Sequence, residues 1–248
     1  MVRDLVFLDL ETTGLDFSSD RIVEVGLVRM GGERKRILIN PRVPIKKRAY
    51  SIHGISFDEV KGSPYFEEVR DEILDFIGDS FIVGFNIINF DIPFLNYELV
   101  RSGGRPILNG LIDLKEIGRF FFENPPNSLY SFAKLLSVRV ERLHRALEDA
   151  ETTRRIFLKL MEIRGDIFSD PKTLERISLS SFPEKSIRIL EMAREYGSLR
   201  IKYFAGFEGV KEVEGEPFVI LKNIVILRDF GDSVRKLNVS RVIEVSAL

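Results

Sequence analysis

The amino-acid sequence predicts an α/β domain followed by a small, mostly β domain. Short apolar segments with strand character and longer segments with helical periodicity share the first two thirds of the chain. A connector containing Gly, Asp, Ser and Pro follows at residues 165–171, and short alternating strands dominate after residue 199. These three observations place a domain boundary at the connector, between domains at residues 1–165 and 172–248.

Composition limits the classes of protein that fit. The chain has 248 residues, 44% of them apolar, which is ample for burying a core. No apolar stretch approaches the roughly 20 residues of a membrane-spanning helix, and the absence of cysteine excludes disulfides and thiolate metal sites. We therefore expect a cytoplasmic protein with no membrane partner. Because the formal net charge is only −1, any binding to nucleic acid must rely on local charge.

The predicted strands of the first domain are short and apolar. They lie at residues 5–10, 21–30, 33–39 and 81–86, and a turn at Gly31 and Gly32 joins the second to the third. Helical periodicity predicts five helices, at residues 64–77, 91–101, 114–122, 128–136 and 147–163. The last helix begins with acidic residues and continues with basic ones, an order that complements the helix dipole.

The second domain is predicted to begin with a helix at residues 184–196. Strand-like segments follow it at residues 199–204, 218–227, 233–239 and 241–245. We therefore expect this part of the chain to consist mainly of β structure.

Two acidic residues at the end of the first strand suggest a metal site. Asp9 and Glu11 are two residues apart, so their side chains point to one face of the strand. A buried pair of like charges is costly unless a cation or a proton neutralises it, which favours binding of a hard metal ion. The alternative from this segment alone is a solvated strand end.

Three further residues carry little information one at a time. Asp91 lies where a predicted strand meets a helix, and by itself it is typical of a helix N-cap. His144 precedes Asp149 by five residues, just ahead of a helix. Alone, it is typical of a loop histidine that is satisfied by hydrogen bonds.

Taken together, these segments resemble the DEDD exonucleases of the subgroup that has a histidine in its third motif. This subgroup includes the proofreading subunits of bacterial replicative polymerases. The first motif corresponds to FLDLETTGL at residues 7–15, the second to residues 86–91 and the third to residues 144–149. The segments DRIVEVGLV, NPRVPI, IHGIS and LIDL also resemble family members, and the resemblance covers about residues 1–163.

The resemblance implies a ribonuclease H-like fold, which is a mixed sheet flanked by helices, and hydrolysis with two divalent cations about 3.5–4 Å apart. By resemblance, four carboxylates hold these ions: those of Asp9, Glu11, Asp91 and Asp149. Asp9 would bridge both ions, and Glu11 and Asp149 would complete the site that activates water. Asp91 would serve the ion beside the leaving oxygen. Because the ligands are all oxygen, Mg²⁺ or Mn²⁺ is the expected cofactor.

His144 corresponds to the family's general base, which takes a proton from the attacking water. Imidazole, with an ordinary pKa of about 6.5, is suited to this task at neutral pH. The implied activity is that of a 3′–5′ exonuclease that releases nucleoside monophosphates from nucleic-acid ends.

The resemblance also implies contacts with the substrate. Thr12 would touch the 3′ end, Leu15 would wedge against its base, and Asn86 belongs to the second motif. Phe90 would stack near the penultimate nucleotide, although a core Phe under the helix is an equal alternative. His53 corresponds to a position where the family has Thr or His, and we interpret it as structural.

Three basic clusters are further candidates for contacts with phosphates, although such clusters are more often solvated faces. They are residues 34–36, residues 46–48, and the group Arg139, Arg142 and Arg145. The last group lies nearest to the expected site.

The C-terminal segment is similar to the WYL domain, a small Sm-like β-barrel found in nucleic-acid-linked regulators. The match is RKLNVSRVIEV, which retains Arg235 and Arg241 of that family's closing strand. The triplet that names the family is replaced by Ile224, Val225 and Ile226. This departure puts ligand binding in doubt, and a β appendage that stabilises or dimerises the nuclease is the alternative.

Several functions are compatible with these features. We expect an active exonuclease whose partner is a single-stranded 3′ end, with DNA as the expected substrate. The alternatives are a proofreading subunit bound to a DNA polymerase or repair complex, an RNA-trimming exoribonuclease, and a non-catalytic nucleic-acid-binding module. Hydrolysis at the phosphate does not distinguish DNA from RNA.

Overall fold

A computed structural model describes residues 5–141 and 144–248. Residues 1–4 and 142–143 lie outside the described residues, and with them Arg142 of the third basic cluster. The chain divides into two compact units. One comprises the chain up to Ser102 together with Asn109–Ser178, and the other comprises Gly103–Leu108 together with Leu179–Leu248.

The first unit is built on a five-stranded mixed sheet. Its strands are β1 (Leu5–Thr12), β2 (Ile22–Arg29), β3 (Arg34–Leu38), β4 (Phe81–Gly84) and β5 (Leu111–Asp113), in the order β3-β2-β1-β4-β5. The first three strands form an antiparallel meander, whereas β4 lies parallel to β1 and β5 parallel to β4. The predicted first strand is therefore central, which explains why its first four residues are all apolar and buried.

Eight helices accompany this sheet in the part of the chain that the structure describes. They are α1 (Lys47–His53), α2 (Phe57–Val60), α3 (Phe66–Ile77), α4 (Asp91–Arg101), α5 (Leu114–Phe121), α6 (Leu129–Leu135), α7 (Ala146–Phe168) and α8 (Pro171–Ser178). The five helices predicted from periodicity are all present. The sequence pattern did not predict α1, α2, α8 or β5; of these, α2 and β5 have only four and three residues, too few to show a clear period.

The longest helix, α7, packs across β1 and β2. Phe157 on this helix contacts Phe7 at the centre of β1, with ring centroids 5.6 Å apart. Both side chains are fully buried, in a core that extends to Phe132 and Phe168. The packing anchors the start of α7 against the end of the sheet at which the acidic residues of β1 lie.

The short helix α8 covers the exposed edge of β5. The backbone N–H of Leu111 donates to Glu175 Oε1 at 3.0 Å, and the N–H of Asp113 donates to Ser178 Oγ at 2.9 Å. These side chains satisfy edge N–H groups that no neighbouring strand reaches. The first unit therefore continues past the connector predicted at residues 165–171 and ends at Ser178.

This arrangement predicts where the first unit can be separated. A fragment that ends at residue 178 should unfold cooperatively, whereas a fragment that ends at residue 169 should be less stable. The shorter fragment leaves the edge N–H groups of Leu111 and Asp113 without partners, at a cost of about 1–3 kcal/mol for each buried group. Thermal melting followed by circular dichroism measures the difference. Equal melting temperatures would contradict the role given to α8, and Ser178→Ala in the longer fragment isolates one of the two bonds.

The second unit contains one helix and an antiparallel sheet. Its elements are α9 (Glu184–Tyr196), β6 (Leu199–Phe204), β7 (Val210–Ile220), β8 (Ile224–Asp229), β9 (Val234–Asn238) and β10 (Val242–Ala247), with the strand order β10-β6-β7-β8-β9. The mostly β character that the sequence predicts is confirmed. The Sm-like barrel and the similarity to the WYL domain stay predictions.

Two details of the second unit correct the sequence analysis. The single strand predicted at residues 218–227 is wrong: the apolar run is divided between β7 and β8, and the N–H of Leu221 donates to the carbonyl of Ile224 at 2.8 Å in the turn between them. Arg235 and Arg241 do not lie in one closing strand, because Arg235 lies in β9 and Arg241 in the following 3₁₀ turn, Val239–Arg241. Arg235 pairs with Asp229 at 3.0 Å.

Candidate active site

Asp9 and Glu11 lie in the last half of β1, where the neighbouring strand β2 pairs antiparallel with it. Two residues apart, they point to one face of the sheet, as the alternation of the strand predicts. The pKa of the Asp9 carboxyl is raised well above its ordinary value, first by burial and then by the negative charges of Asp91 and Asp149. The pKa of Glu11 is raised to about 8, again mainly by burial and then by Asp149. In both cases the negative charges of neighbouring predicted acids add to the effect of burial.

Asp91 is the first residue of α4 and is buried. It is not the N-cap, which is Phe90; instead its Oδ1 accepts a hydrogen bond from the backbone N–H of Leu10 at 3.0 Å. This bond ties the start of α4 to β1, between Asp9 and Glu11. Burial raises the pKa of Asp91 to about 8, although hydrogen bonds from Leu10 and from its own backbone act in the opposite direction.

Asp113, which the sequence analysis did not select, holds the loop that leads to Asp91. Its carboxylate accepts hydrogen bonds from the backbone N–H groups of Asn86, at 2.9 Å, and Ile88, at 3.3 Å. Asn86 has a positive φ of 64°, an uncommon conformation for a residue other than glycine, and these bonds stabilise it. The only signal in the sequence was the LIDL segment, in which an acid follows two apolar residues.

Asp149 and His144 are joined within the third motif. The backbone N–H of His144 donates to Asp149 Oδ2 at 3.0 Å, while Asp149 Oδ1 is buried and has no hydrogen-bond partner. Burial raises the pKa of Asp149 to about 7. Glu11, His144 and Asp149 each offer one ligand atom, and these atoms lie within 4.8 Å of one another. The exposed His144 therefore stands at the rim of the acidic cluster.

The cluster fits a divalent cation. A buried carboxylate oxygen without a partner is costly, and so is a group of carboxylates whose pKa values are raised by burial and by one another. A bound cation would relieve both costs, because it supplies positive charge and accepts the unpaired oxygen as a ligand. The candidate carboxylate ligands all offer oxygen atoms. Hard metal ions prefer oxygen ligands to soft ligands such as thiolates.

A cavity of about 510 Å³ opens beside Glu11. Four of the residues selected from the sequence line it together with that carboxylate: Thr12, Leu15, His53 and Phe90. Asn86 is not among the described residues that line it, and its amide oxygen instead accepts from Lys115 Nζ at 3.3 Å.

Three of the residues that line the cavity illustrate how it is built. Leu15 is 63% exposed, so it can contact a bound molecule. The ring of Phe90 contacts Phe94 with centroids 4.9 Å apart, so it both packs on the core and faces the cavity. His53 is buried; its Nδ1 accepts from the N–H of Ile55 at 2.9 Å, and its Nε2 lies 3.2 Å from the Thr12 carbonyl. Both nitrogens therefore serve the backbone.

Comparison with known protein families shows to which family the chain belongs. A sequence profile of exonucleases matches residues 6–157. The chain belongs to this exonuclease family.

Two kinds of DNA polymerase III protein are among the relatives of this chain. The chain is 35% identical to the epsilon subunit of DNA polymerase III from Rickettsia conorii over 175 residues, which are 66% of this chain and 76% of that subunit. It is 29% identical over 217 residues to the PolC-type DNA polymerase III of Caldanaerobacter subterraneus. That match covers 85% of this chain, and the chain spans only 15% of the polymerase.

Solved structures confirm the fold of the exonuclease. The zinc-bound complex of exonuclease I from E. coli with single-stranded DNA matches with a TM-score of 0.61 at 16% identity, over 98% of this chain and 64% of that one. The expected ribonuclease H-like fold with a mixed sheet is thereby confirmed.

Among the described residues, no helix of this chain is long and apolar enough to cross a membrane.

The basic clusters of the exonuclease are largely engaged with acids of the same unit. Four ion pairs show this: Arg34 with Glu151, Lys35 with Glu72, Arg36 with Glu148, and Lys46 with Asp20. Arg145, the cluster member nearest to the acids, pairs with Glu24. Most of these basic side chains therefore form ion pairs with acidic residues of the same unit.

The raised pKa values predict how the stability of the metal-free exonuclease depends on pH. In the folded state the pKa values of Glu11 and Asp91 are about 8 and that of Asp149 is about 7, against 4.5, 3.8 and 3.8 ordinarily. At pH values between the ordinary pKa values and the raised ones, the folded state binds more protons than the unfolded state. The free energy of unfolding should therefore fall as pH rises from about 4 to about 8.

Thermal melting in the presence of a chelator measures this dependence. The melting temperature should be lower at about pH 8 than at about pH 5. Added Mg²⁺ or Mn²⁺ should raise it most at the higher pH, where the carboxylates are ionised and free to bind. Asp149→Asn removes one titrating carboxyl and should flatten the slope. A melting temperature that rises with pH in the chelated wild type would contradict this account of the cluster.

Proposed function

We propose that this chain removes nucleotides one at a time from the 3′ end of DNA, hydrolysing the phosphodiester bond and releasing nucleoside monophosphates. The observation that carries the proposal is the cluster in which ligand atoms of Glu11, His144 and Asp149 lie within 4.8 Å of one another, where Asp149 Oδ1 is buried without a partner. The similarity to the epsilon subunit of DNA polymerase III supports DNA as the substrate.

The residues that would hold the metal ions are Asp9, Glu11, Asp91 and Asp149. Two divalent ions, Mg²⁺ or Mn²⁺, would offset the negative charge of this cluster, and when bound they supply an activated water and stabilise the leaving oxygen. Asp91 has one oxygen committed to the N–H of Leu10, so it has fewer lone pairs to offer than Asp9.

The remaining steps belong to side chains of this chain. His144 stands at the rim of the cluster, beside Glu11 and Asp149, where its imidazole can take the proton of the attacking water. The cavity lined by Thr12, Leu15 and Phe90 lies next to Glu11 and is large enough to receive the terminal nucleotide. In this proposal the exposed Leu15 packs against the terminal base.

A direct assay tests the proposal. Matched single-stranded DNA, duplex DNA and RNA, each labelled at the 5′ end, are incubated with the full chain and Mg²⁺ or Mn²⁺. We expect a ladder of progressively shorter labelled DNA, released nucleoside monophosphates, and no cleavage with a chelator. Absence of a ladder with either ion, or release of the 5′ label first, would refute the proposed polarity or activity.

A polymerase-associated proofreading role is a second candidate, favoured by the 76% coverage of the epsilon subunit. In this case the chain would form a stable complex with a DNA polymerase. Affinity purification of the tagged chain from its own cells, followed by identification of bound proteins, separates this role from that of a self-sufficient enzyme.

The second unit is proposed to hold substrate or a partner rather than to take part in the chemistry, because every motif of the cluster lies before residue 150. A fragment that ends at residue 178 should therefore keep the turnover of the full chain on the shortest oligonucleotides and bind long ones more weakly. Steady-state kinetics on substrates of graded length measures both quantities. If the folded fragment loses activity on the shortest substrates, the second unit helps to build the active site and the proposal fails.

A further inference from the structure

Glu24 is a fifth carboxylate beside the proposed catalytic acids. It lies on β2 directly opposite Glu11 in the antiparallel register, and its side chain is fully buried. Its charge adds to the effects that raise the pKa values of both Asp9 and Glu11. A carboxylate in this position needs a structural reason, because by charge alone it makes the cluster more costly.

The surroundings of Glu24 leave it no capacity to bind a metal ion. Oε1 accepts a hydrogen bond from Arg145 Nη2 at 3.0 Å and forms an ion pair with Arg36 Nε at 3.1 Å. Oε2 receives Arg145 Nε at 3.1 Å and the backbone N–H of Ala146 at 2.9 Å. An ionised carboxylate has about four acceptor sites. Hydrogen bonds from Arg145 and Ala146 and the ion pair with Arg36 commit Glu24 to protein groups, and two guanidinium groups offset its charge.

These bonds fix the segment that carries His144. Arg145 directly follows His144, and Ala146 is the first residue of α7. His144 has a φ of 62°, which is uncommon for a residue other than glycine and persists only where the surroundings enforce it. The N–H of His144 itself donates to Asp149 Oδ2. The two residues that follow His144 are held by Glu24, which accepts from the side chain of Arg145 and from the N–H of Ala146.

Gly26 contributes to the same contact between β2 and the start of α7. A Cβ at this position of β2 would lie 2.1 Å from the carbonyl carbon of Ala146, a distance that no side chain tolerates. The absence of a side chain therefore lets the start of α7 approach the sheet closely enough for Glu24 to reach Arg145 and Ala146. Glu24 and Gly26 are alternate residues of one strand, so both face α7.

We infer that Glu24, acting through Arg145, is a positioning residue that sets His144 beside Glu11 and Asp149. The inference rests on the proposed function, in which His144 is the general base. A displacement of a catalytic group by about 1 Å can cost on the order of 10²-fold in rate. Glu24 would therefore influence the chemical step without contacting substrate, metal or the reacting atoms.

Nuclear magnetic resonance tests the positioning without requiring activity. The chain has two histidines, so labelling with ¹⁵N-histidine gives the imidazole signals of His53 and His144 alone. In Glu24→Gln we expect the His144 signals to broaden or divide, because the segment samples more than one conformation. His53, held by backbone groups on both nitrogens, should keep its line width and serve as the internal control. A sharp, single His144 signal in the variant would overturn the inference.

Kinetics provide the second test. Glu24→Gln and Arg145→Ala should each lower kcat by about 10–100-fold with little change in KM or in metal affinity, and Arg145→Lys should restore part of kcat. Glu98→Gln is the matched control, since Glu98 is equally buried and pairs with Arg21 and Arg101 away from His144.

The outcomes separate positioning from simple stabilisation. The inference requires that kcat stay normal in Glu98→Gln while it falls in Glu24→Gln. Equal losses of kcat in both variants, or normal kcat in Glu24→Gln despite a lower melting temperature, would overturn it. If the wild-type chain cleaves no nucleic acid, the proposed function fails, and the histidine signals still decide whether Glu24 positions His144.

Discussion

Replacing Asp9 by Asn should lower nuclease turnover by several orders of magnitude while leaving the metal-free protein as stable as the wild type or more so. Asp9 is the acid whose pKa is raised by all three of the other proposed ligands. A neutral amide of the same shape removes one charge from this cluster, so the repulsion among the remaining carboxylates falls. The same change removes a ligand from the metal pair, which the chemistry requires.

Two measurements on the same variant check this expectation. Turnover is measured on labelled DNA with saturating Mg²⁺ or Mn²⁺, and the melting temperature is measured with a chelator. Asp149→Asn should behave in the same way, because it also removes a proposed ligand with a raised pKa. The chosen control is Asp75→Asn, an exposed acid on α3. Near-normal turnover in Asp9→Asn, with an unchanged response of stability to metal, would contradict the metal assignment.

The sequence was sufficient to select the acids from which the candidate site is proposed. Alternation along one apolar strand placed Asp9 and Glu11 on one face, and the order of the three motifs associated them with Asp91 and Asp149. The fold followed because the central strand and the long helices have clear periods. The sequence therefore predicted the features that depend on local periodicity or on the three motifs.

The parts that could not be predicted depend on contacts between distant segments. Glu24 lies in the middle of the apolar run IVEVGLV, and nothing in that run shows that its partner is Arg145, 121 residues away. The bond from Leu10 to Asp91 likewise depends on how α4 meets β1. An acid within an otherwise buried strand was the one available signal for Glu24, since such a residue requires a partner.

Short elements and continuous apolar runs were the other source of error. The strand predicted at residues 218–227 joined the end of β7 to β8, because the turn interrupts the apolar pattern only at Lys222 and Asn223. The connector at residues 165–171 has the composition of a boundary. The side chains of Glu175 and Ser178 nevertheless return to β5, so α8 belongs to the first unit.

Replacing His144 by Ala should reduce the rate by about 10²–10⁴-fold, the usual range for the loss of a general base. The reason is its place in the structure: it is exposed at the rim of the cluster, and one of its ring nitrogens lies within 4.8 Å of oxygens of Glu11 and Asp149. An imidazole there can accept the proton of a water that attacks the phosphate. In the variant the proton must pass to solvent, so the dependence of the rate on pH should flatten.

The same proximity makes a second role for His144 testable, that of a metal ligand. Titration of Mn²⁺ into the wild type and into His144→Ala distinguishes the two roles. As a base, His144 contributes to the rate and not to metal affinity, so the variant should bind Mn²⁺ as tightly as the wild type. Asp149→Asn supplies the reference for a lost ligand. If His144→Ala weakens Mn²⁺ binding as much as Asp149→Asn does, His144 is a ligand and another group must accept the proton of the attacking water.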